Sequence, residues 1–265
     1  MKTKVTIIGA GNMGLAMAKA LVQEGSWAVT LVDRPDKKIT PISGTKLAPS
    51  IQAGLREAQV VLLAVKPQDG KIALANMRGL IPSSAILISI MVGATLKGLQ
   101  RESGHTKIIR AMPNMPAQIG MGMTVWCATR EIKRAQKKLV QKLFESFGEA
   151  QEVRQEQLVD VATAISGSGP AYVFALAEYM TASGVHLGLT QAEAHKLSTQ
   201  TLVGASQLLK QSGEDPALLR KKVTSKKGTT EAALKVFANR HTQQIYQAAL
   251  KAAFTRAKKV SKAWD

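Results

Sequence analysis

The chain has 265 residues, of which 45% are hydrophobic, and carries a formal net charge of +18 at pH 7. This size and apolar content are typical of one large or two small folded domains and exclude a wholly disordered chain. The single cysteine, Cys127, excludes an internal disulfide, and no apolar run reaches the roughly 18 residues of a membrane-spanning helix, so we expect a soluble cytoplasmic protein. The four histidines lack the close spacing of zinc ligands, and no metal site is expected.

The positive charge is concentrated towards the end of the chain. Residues 220–265 contain 12 basic and 2 acidic residues, whereas residues 151–219 contain 3 and 7, and residues 1–150 contain 21 and 9. Such a charge attracts anions of many kinds, including nucleic acid. Because residues 220–265 have few aromatic side chains to stack on bases, we favour a solvated basic surface over a nucleic-acid-binding module.

The first half of the sequence alternates short apolar runs with helix-like segments. A buried parallel sheet with helices on both faces produces this alternation. The fold expected for residues 1–155 is therefore a doubly wound α/β sheet. The predicted strands are 5–8, 28–32, 60–65, 85–90, 107–110 and 125–127, and the predicted helices are 13–24 and 131–147.

After about residue 155 the pattern becomes helical throughout. We expect residues 156–265 to form a second, all-α domain that is joined directly to the first. Long apolar helices in so small a domain need a further surface to pack against, which predicts association with a second copy. The predicted helices are 172–183, 191–211, 216–222, 230–238 and 242–262.

A Gly-x-Gly-x-x-Gly motif, Gly9 to Gly14, lies between the first strand and the first helix. Gly9 permits a tight turn, Gly11 lets the backbone approach a pyrophosphate at the helix N-terminus, and Gly14 allows close packing of helix on strand. With Asn12 and Met13, these glycines are predicted to bind the pyrophosphate of a dinucleotide. An ordinary glycine-rich turn is the alternative.

The second strand is followed by Asp33, 19 residues beyond Gly14. An acid at this position usually binds the ribose hydroxyls of the adenosine and favours NAD. Arg34 comes next, with Lys37 and Lys38 close by, and these cations suit the 2′-phosphate of NADP. The sequence leaves NAD and NADP open, and a solvated turn is the alternative.

Two further strand ends carry candidate cofactor contacts. The run Ala64, Val65, Lys66, Pro67 follows a buried strand, at the edge where a doubly wound sheet binds its ligand. Lys66 can meet phosphate or ribose oxygens there, although a lysine at a strand end is more often solvated. Asn114 stands in a rigid proline-flanked loop after another strand, which is also the pattern of a purely structural turn.

Two later segments place small residues in front of a helix. Ser-Gly-Ser-Gly-Pro-Ala-Tyr at 166–172 is predicted to be a loop that leads into a helix near its proline. Val-Thr-Ser-Lys-Lys-Gly-Thr-Thr-Glu at 223–231 combines hydroxyls, Gly228 and a new helix N-terminus, which suits a small carboxylate. Helix capping alone explains either segment equally well.

Together and in this order, these motifs resemble the pyrroline-5-carboxylate reductase family over nearly the whole chain. The resemblance implies an N-terminal Rossmann domain followed by an all-α dimerisation domain, with active sites shared between two subunits and, in some members, rings of dimers. The similar segments are the Gly-Asn-Met-Gly turn, Ala-Val-Lys-Pro-Gln at 64–68, Arg-Ala-Met-Pro-Asn at 110–114 and the segments at 166–172 and 223–231.

The same resemblance implies the activity, which is hydride transfer from NADH or NADPH to the imine carbon of 1-pyrroline-5-carboxylate to give proline. It assigns the substrate's carboxylate and ring nitrogen to four residues and places the hydroxyl of one, Thr230, beside the nitrogen. Such a reaction needs neither a strong nucleophile nor a metal, because the cofactor carries the hydride chemistry and the protein orients the reactants. The four residues are Ser225, Gly228, Thr229 and Thr230.

The chain departs from the family pattern in two loops. The family's Ser-Pro-Gly-Gly is Ser225-Lys226-Lys227-Gly228 here, so a rigid proline and a permissive glycine are lost and two positive charges are added. A positive φ at Lys227 would strain this loop. Met115 stands where the family usually has threonine, which removes a hydroxyl close to the expected cofactor.

A third departure is the stretch 34–47, which is short and contains two prolines, so the crossover helix is predicted to be truncated. These departures, together with the basic charge of residues 220–265, leave alternatives open. The chain can be a reductase for another cyclic imine or a hydroxy acid, a degenerate relative of the family, or the basic nucleic-acid-binding module.

Overall fold

The computed structural model of the chain describes residues 1–34 and 42–264. Within these residues, eight strands form one sheet: β1 Thr3–Ile8, β2 Trp27–Val32, β3 Thr45–Leu47, β4 Val60–Leu63, β5 Ile86–Ser89, β6 Ile108–Met112, β7 Gly122–Ala128 and β8 Gly148–Glu152. Their order across the sheet is β3-β2-β1-β4-β5-β6-β7-β8, and neighbouring strands run parallel except β6 and β7. The chain reverses direction across the sheet after β3, which places the ends of β1 and β4 at the ligand-binding crevice of this topology.

Helices alternate with these strands and cover both faces of the sheet. On one face, β1 and β4 present Val5 and Leu62 to a core that also takes Met17 and Phe144 from helices. The other face presents Leu63 to a second core. Because both faces are buried, the central strand β4 is apolar throughout and lacks alternation. The helices are α1 Asn12–Glu24, α2 Ile51–Leu55, α3 Gly70–Met77, α4 Leu96–Ser103, α5 Arg134–Glu145 and α6 Gln157–Ala162.

The remaining described helices follow without an intervening strand. A short π-helix, Thr163–Gly167, connects α6 to them. They are α7 Gly169–His186, α8 Gln191–Ser212, α9 Pro216–Lys222, α10 Thr229–Asn239 and α11 Thr242–Lys262. A doubly wound sheet followed by an all-α region confirms the predicted fold class. None of the described helices is long and apolar enough to cross a membrane.

Contacts divide the chain into two compact units. The sheet unit comprises Met1–Ser168 together with Ala252–Asp265, and the helical unit comprises Gly169–Lys251. Helix α11 therefore begins in the helical unit and ends in the sheet unit. The predicted domains, 1–155 and 156–265, divide the chain by its change in secondary structure rather than by contacts, and they stay a prediction.

The strands and helices predicted from the apolar pattern are confirmed, with small shifts at their ends. The pattern missed strands β3 and β8 and helices α2, α3, α4 and α6. Strand β8 is polar and largely exposed, so no apolar run marked it. Strand β3 has three residues and α6 has six, which is too short for a periodic signal. The predicted truncated crossover after Arg34 falls largely on 35–41, outside the described residues.

A buried ion cluster joins the last turns of α11 to the sheet. Arg110 in β6 is 2% exposed, and its guanidinium donates to Glu156 at 3.0 Å, to Ser261 at 3.2 Å and to Asp160. The Ser261 hydroxyl in turn donates to Asp160 at 2.9 Å. Since removing one member would leave a buried charge without its partner, the cluster holds β6, α6 and α11 in one arrangement.

Candidate active site

The glycine motif forms a tight turn that is closed by contacts on two sides. Gly9 has φ 104°, a left-handed conformation, and a Cβ on it would lie 2.8 Å from the carbonyl oxygen of Ala64. A Cβ on Gly14 would lie 2.0 Å from the carbonyl oxygen of Gly9. The turn therefore has no room for a side chain at either position, as the sequence predicts.

Gly11 serves a different purpose, because the space in front of it is open. It is the N-cap of α1, with φ −82° and ψ −177°, and a Cβ on it would meet nothing within 4 Å. The first amides of α1, from Asn12 and Met13, lack intrahelical acceptors as in any helix, and the helix dipole favours an anion there. An uncovered backbone at a glycine-capped helix fits the pyrophosphate of a dinucleotide.

Asp33 lies directly beside this turn, at the end of β2. Its Oδ2 accepts from the backbone N–H of Ala10 at 2.7 Å, and its Oδ1 accepts from the backbone N–H of Arg34 at 2.8 Å. Gly9 donates its N–H to the carbonyl of Val32 at 2.8 Å. The carboxylate thus continues the hydrogen bonding between β1 and β2 beyond the strands themselves.

The run from Ala64 to Pro67 lies at the same edge of the sheet, after β4. Ala64 donates its N–H to the carbonyl of Ile8 at 2.8 Å and packs against Gly9, so it forms one wall of the glycine turn. Lys66 is exposed and precedes the short 3-10 helix Pro67–Asp69. Its ammonium group is therefore accessible to an anion bound at this edge.

Asn114 joins three segments through its side-chain amide. Its Nδ2 donates to the carbonyl of Ser166 at 3.0 Å, and its Oδ1 accepts from the N–H of Met123 at 2.9 Å. These bonds hold the loop after β6 against β7 and the π-helix. The assignment of Asn114 to the cofactor stays a prediction, and the bonds show what else its amide does.

The segment that begins at Ser166 is not the loop that its composition predicted. Residues Thr163–Gly167 form a π-helix, in which the N–H of Ser168 donates to the carbonyl of Thr163 at 2.8 Å. A Cβ on Gly167 would lie 2.7 Å from Cε of Met112. Gly167 thus packs closely against the Met112 side chain of β6, and the amides of this segment continue a helix.

The loop before α10 is a tight turn that ends in a glycine N-cap. Gly228 has φ −81° and ψ 172°, and its N–H donates to the carbonyl of Ser225 at 3.0 Å. A Cβ on Gly228 would lie 2.3 Å from Oγ of Ser225. Ser225 and Thr229 are exposed and Thr230 is half-buried, so their hydroxyls and the first amides of α10 are grouped at one helix end.

Lys227 adopts the strained conformation that its position in the loop suggested. Its φ is 61°, in the left-handed region that favours glycine. The N–H of Lys227 donates to Oε2 of Glu231 at 2.9 Å, and the same carboxylate lies 3.5 Å from the ammonium of Lys235. Glu231 is the third residue after the Gly228 cap. Its carboxylate therefore holds the strained Lys227 in place, in the manner of a capping box.

Cys127 contributes no chemistry to the glycine turn or to the loop before α10. It lies in β7 and is 2% exposed, as expected of a core residue. Burial, together with the nearby carboxylate of Glu156, raises the pKa of the Cys127 thiol to about 12. The thiol stays protonated at neutral pH and is a poor nucleophile.

Comparison with known proteins places the whole chain in one family. The family model described as pyrroline-5-carboxylate reductase dimerisation matches residues 156–260, and the model described as NADP oxidoreductase coenzyme F420-dependent matches residues 4–93. The pyrroline-5-carboxylate reductase of Synechocystis is 35% identical over 99% of this chain and 100% of its own length. The chain belongs to the pyrroline-5-carboxylate reductase family. The enzyme of that name from Escherichia coli is 33% identical over 99% of this chain and 100% of its own length.

Solved structures of pyrroline-5-carboxylate reductases have the same fold. The enzyme from Coxiella burnetii matches with a TM-score of 0.90 and 30% identity, over 98% of this chain and 99% of that chain. The Plasmodium falciparum enzyme, solved with NADP bound, matches with a TM-score of 0.88 and 29% identity over 98% of each chain. The resemblance read from the motifs is therefore confirmed at the level of family and fold.

Sequence reasoning missed the two bonds that hold the glycine turn and the loop before α10. The bond from Ala10 to Asp33 and the bond from Lys227 to Glu231 both run from a backbone N–H to a carboxylate. An acid three positions after a glycine cap is a recognisable signal for the second bond. Asp33 was recognised, but as a ligand of the cofactor, because its bond to the turn depends on the tertiary arrangement of β1 and β2.

Proposed function

We propose that this chain reduces 1-pyrroline-5-carboxylate to L-proline, with NADH or NADPH as the hydride donor. The observation that carries the proposal is that reductases of this name match the chain from end to end at 33–35% identity. It is supported by two glycine-capped helix N-termini, one in each unit, at the positions of the two motifs that are predicted to bind anions.

The cofactor is assigned to the edge of the sheet at the ends of β1, β2 and β4. The amides at the start of α1 hold the pyrophosphate, and the residues after β2 lie at the adenosine end. The bound nicotinamide supplies the hydride. A relative solved with NADP supports a nicotinamide dinucleotide, and both NAD and NADP stay candidates. The proposed set is Gly9, Gly11, Asn12, Met13, Gly14, Asp33, Arg34, Ala64, Val65, Lys66, Pro67 and Asn114.

The substrate is assigned to the loop before α10. The first amides of α10 and the hydroxyls of Ser225 and Thr229 suit the carboxylate, and the Gly228 cap leaves the amides uncovered. The hydroxyl of Thr230 is proposed to lie beside the ring nitrogen. Because a protonated iminium is the better hydride acceptor, Thr230 or water delivers the proton to that nitrogen, and Thr230 is the proposed catalytic residue.

A homodimer is proposed as the working unit, with larger rings of dimers as a further possibility of the family. A dimerisation domain is present in residues 156–260. In the single chain, large apolar side chains of α7 and α8 are exposed, among them Phe174 at 57%, Tyr179 at 64% and Leu197 at 57%. A partner copy would bury them, and apolar patches of this kind mark interaction surfaces. The predicted cytoplasmic location is part of the same proposal.

The test is an assay of cofactor oxidation with racemic pyrroline-5-carboxylate, in which the product is identified by chromatography. We expect oxidation of NADH or NADPH to yield proline in equal amount. The faster cofactor decides between the two. Adding other cyclic imines as competitors to the same assay tests whether the added charges of Lys226 and Lys227 have altered which imine the protein prefers. Cofactor binding without proline formation, or a faster reaction with another imine, would contradict the proposal.

A further inference from the structure

Asp33 has both carboxylate oxygens engaged by backbone amides. Oδ2 accepts from Ala10 at 2.7 Å and Oδ1 accepts from Arg34 at 2.8 Å. Ala10 lies inside the glycine turn and is 4% exposed, and its bond to Asp33 is partly buried. Hydrogen bonds from an N–H to an ionised carboxylate are among the stronger ones in proteins.

These bonds fix the turn from the side of β2. Strands β1 and β2 pair in parallel up to Ile8 and Val32. The pairing continues with the bond from Gly9 to Val32, and Asp33 adds the next bond through its side chain. The carboxylate thus adds a bond at Ala10 to the bond that the backbone of β2 makes at Gly9 and to the packing of Ala64 against Gly9.

We propose that Asp33 is a positioning residue for the pyrophosphate site and acts through the amide of Ala10, rather than serving chiefly as a ligand of the ribose. The proposal rests on the proposed binding of a nicotinamide dinucleotide. It concerns a part of the cofactor, the pyrophosphate, that NADH and NADPH share. Asp33 therefore supports the binding of both cofactors alike and does not itself select NAD over NADP.

The two roles of Asp33 lead to different effects of substitution. A ribose ligand selects between the cofactors, so its loss weakens NADH and, by removing repulsion of the 2′-phosphate, strengthens NADPH. A positioning residue acts on the shared pyrophosphate, so its loss weakens both cofactors by a similar factor. The ratio of the two dissociation constants therefore separates the roles.

The experiment titrates NADH and NADPH into the full-length wild-type protein and into Asp33→Ala and Asp33→Asn, with the fluorescence of the reduced nicotinamide as the signal. No imine is present, so the result does not depend on the identity of the substrate. We expect Asp33→Ala to raise the Kd of both cofactors by about tenfold, the cost of one charge-assisted hydrogen bond. Asp33→Asn keeps one acceptor oxygen for the amide of Ala10 and should recover part of this loss.

Glu57→Ala is the matched control, since it also removes one carboxylate from the sheet unit. Glu57 is exposed and pairs with Lys4 at 2.8 Å. This control should leave both Kd values unchanged. An NADH-to-NADPH Kd ratio that stays within about threefold while both affinities fall supports the positioning role. A larger change in the ratio, or unchanged affinities in Asp33→Ala, overturns it, and a wild-type protein that binds neither cofactor overturns the proposed function as well.

Discussion

Helices α1 and α10 begin in nearly the same way, although they lie in different units of the molecule. Each has a glycine N-cap in the extended region, Gly11 with φ −82° and ψ −177° and Gly228 with φ −81° and ψ 172°. Helices α4 and α8, in contrast, are capped by the side chains of Thr95 and Thr190. A glycine cap leaves the first amides of the helix uncovered by a side chain, which is the arrangement that an external anion requires.

The two starts differ in the residue that takes the left-handed conformation before the cap. In the sheet unit it is Gly9, with φ 104°, and in the helical unit it is Lys227, with φ 61°. A glycine adopts this conformation freely, whereas a lysine pays for it with strain. The loop before α10 has thus kept the backbone shape that the family's glycine allows, although the glycine itself is gone, and Glu231 supports that shape.

The largest expected effect comes from the glycine turn, where Gly14 is needed for packing and Gly11 for the approach of a ligand. Gly14→Ala would place a methyl group 2.0 Å from the carbonyl oxygen of Gly9, so we expect a loss of about 3 kcal/mol in the free energy of unfolding and loss of cofactor binding. Gly11→Ala is the matched variant, because its methyl group meets nothing within 4 Å. Urea unfolding and a cofactor titration should show Gly11→Ala folded normally but weakened in binding, and equal destabilisation by both variants would contradict this difference.

A smaller, opposite effect is expected in the loop of the helical unit. Lys227→Gly removes left-handed strain and should stabilise the protein by about 1 kcal/mol. The midpoint of thermal unfolding should rise by about 2–4 °C. Lys226 does not have a positive φ, so Lys226→Gly should instead destabilise the protein slightly through backbone entropy. If Lys227→Gly lowers the midpoint as well, the strain assigned to Lys227 is wrong.

The reactivity of Cys127 shows whether a variant destabilises the sheet unit or the helical unit. Because the thiol is buried in β7 and has a pKa of about 12, it should not react with a disulfide reagent in the native protein near neutral pH. We expect reaction only as the sheet unit unfolds. Gly14→Ala should therefore expose the thiol at lower urea than the wild type, whereas Lys227→Gly should not. A thiol that reacts rapidly in the folded wild-type protein would contradict its burial.

Much of the fold was predictable because apolar runs and helical periodicity mark the buried strands and long helices directly. Strand β8 was not predicted, because it is an exposed edge strand whose Glu149 and Glu152 give no apolar signal. In the site, the sequence predicted a separate steric role for each glycine of the first motif. It also predicted the left-handed conformation of Lys227, because the family has a glycine at that position. The bonds of Asp33 and Asn114 could not be predicted, because their partners come from other elements and meet them only in the folded chain.

The most direct measurement is the turnover of pyrroline-5-carboxylate by Thr230→Ala and Thr230→Ser, alongside the Kd of the reduced cofactor for each. If the Thr230 hydroxyl lies beside the ring nitrogen, Thr230→Ala should lower kcat by about 100-fold and leave the cofactor Kd unchanged. Thr230→Ser, which restores a hydroxyl at the start of α10, should recover most of the activity. Equal loss of turnover and cofactor affinity in Thr230→Ala, or full turnover without the hydroxyl, would contradict the role assigned to the helix α10 site.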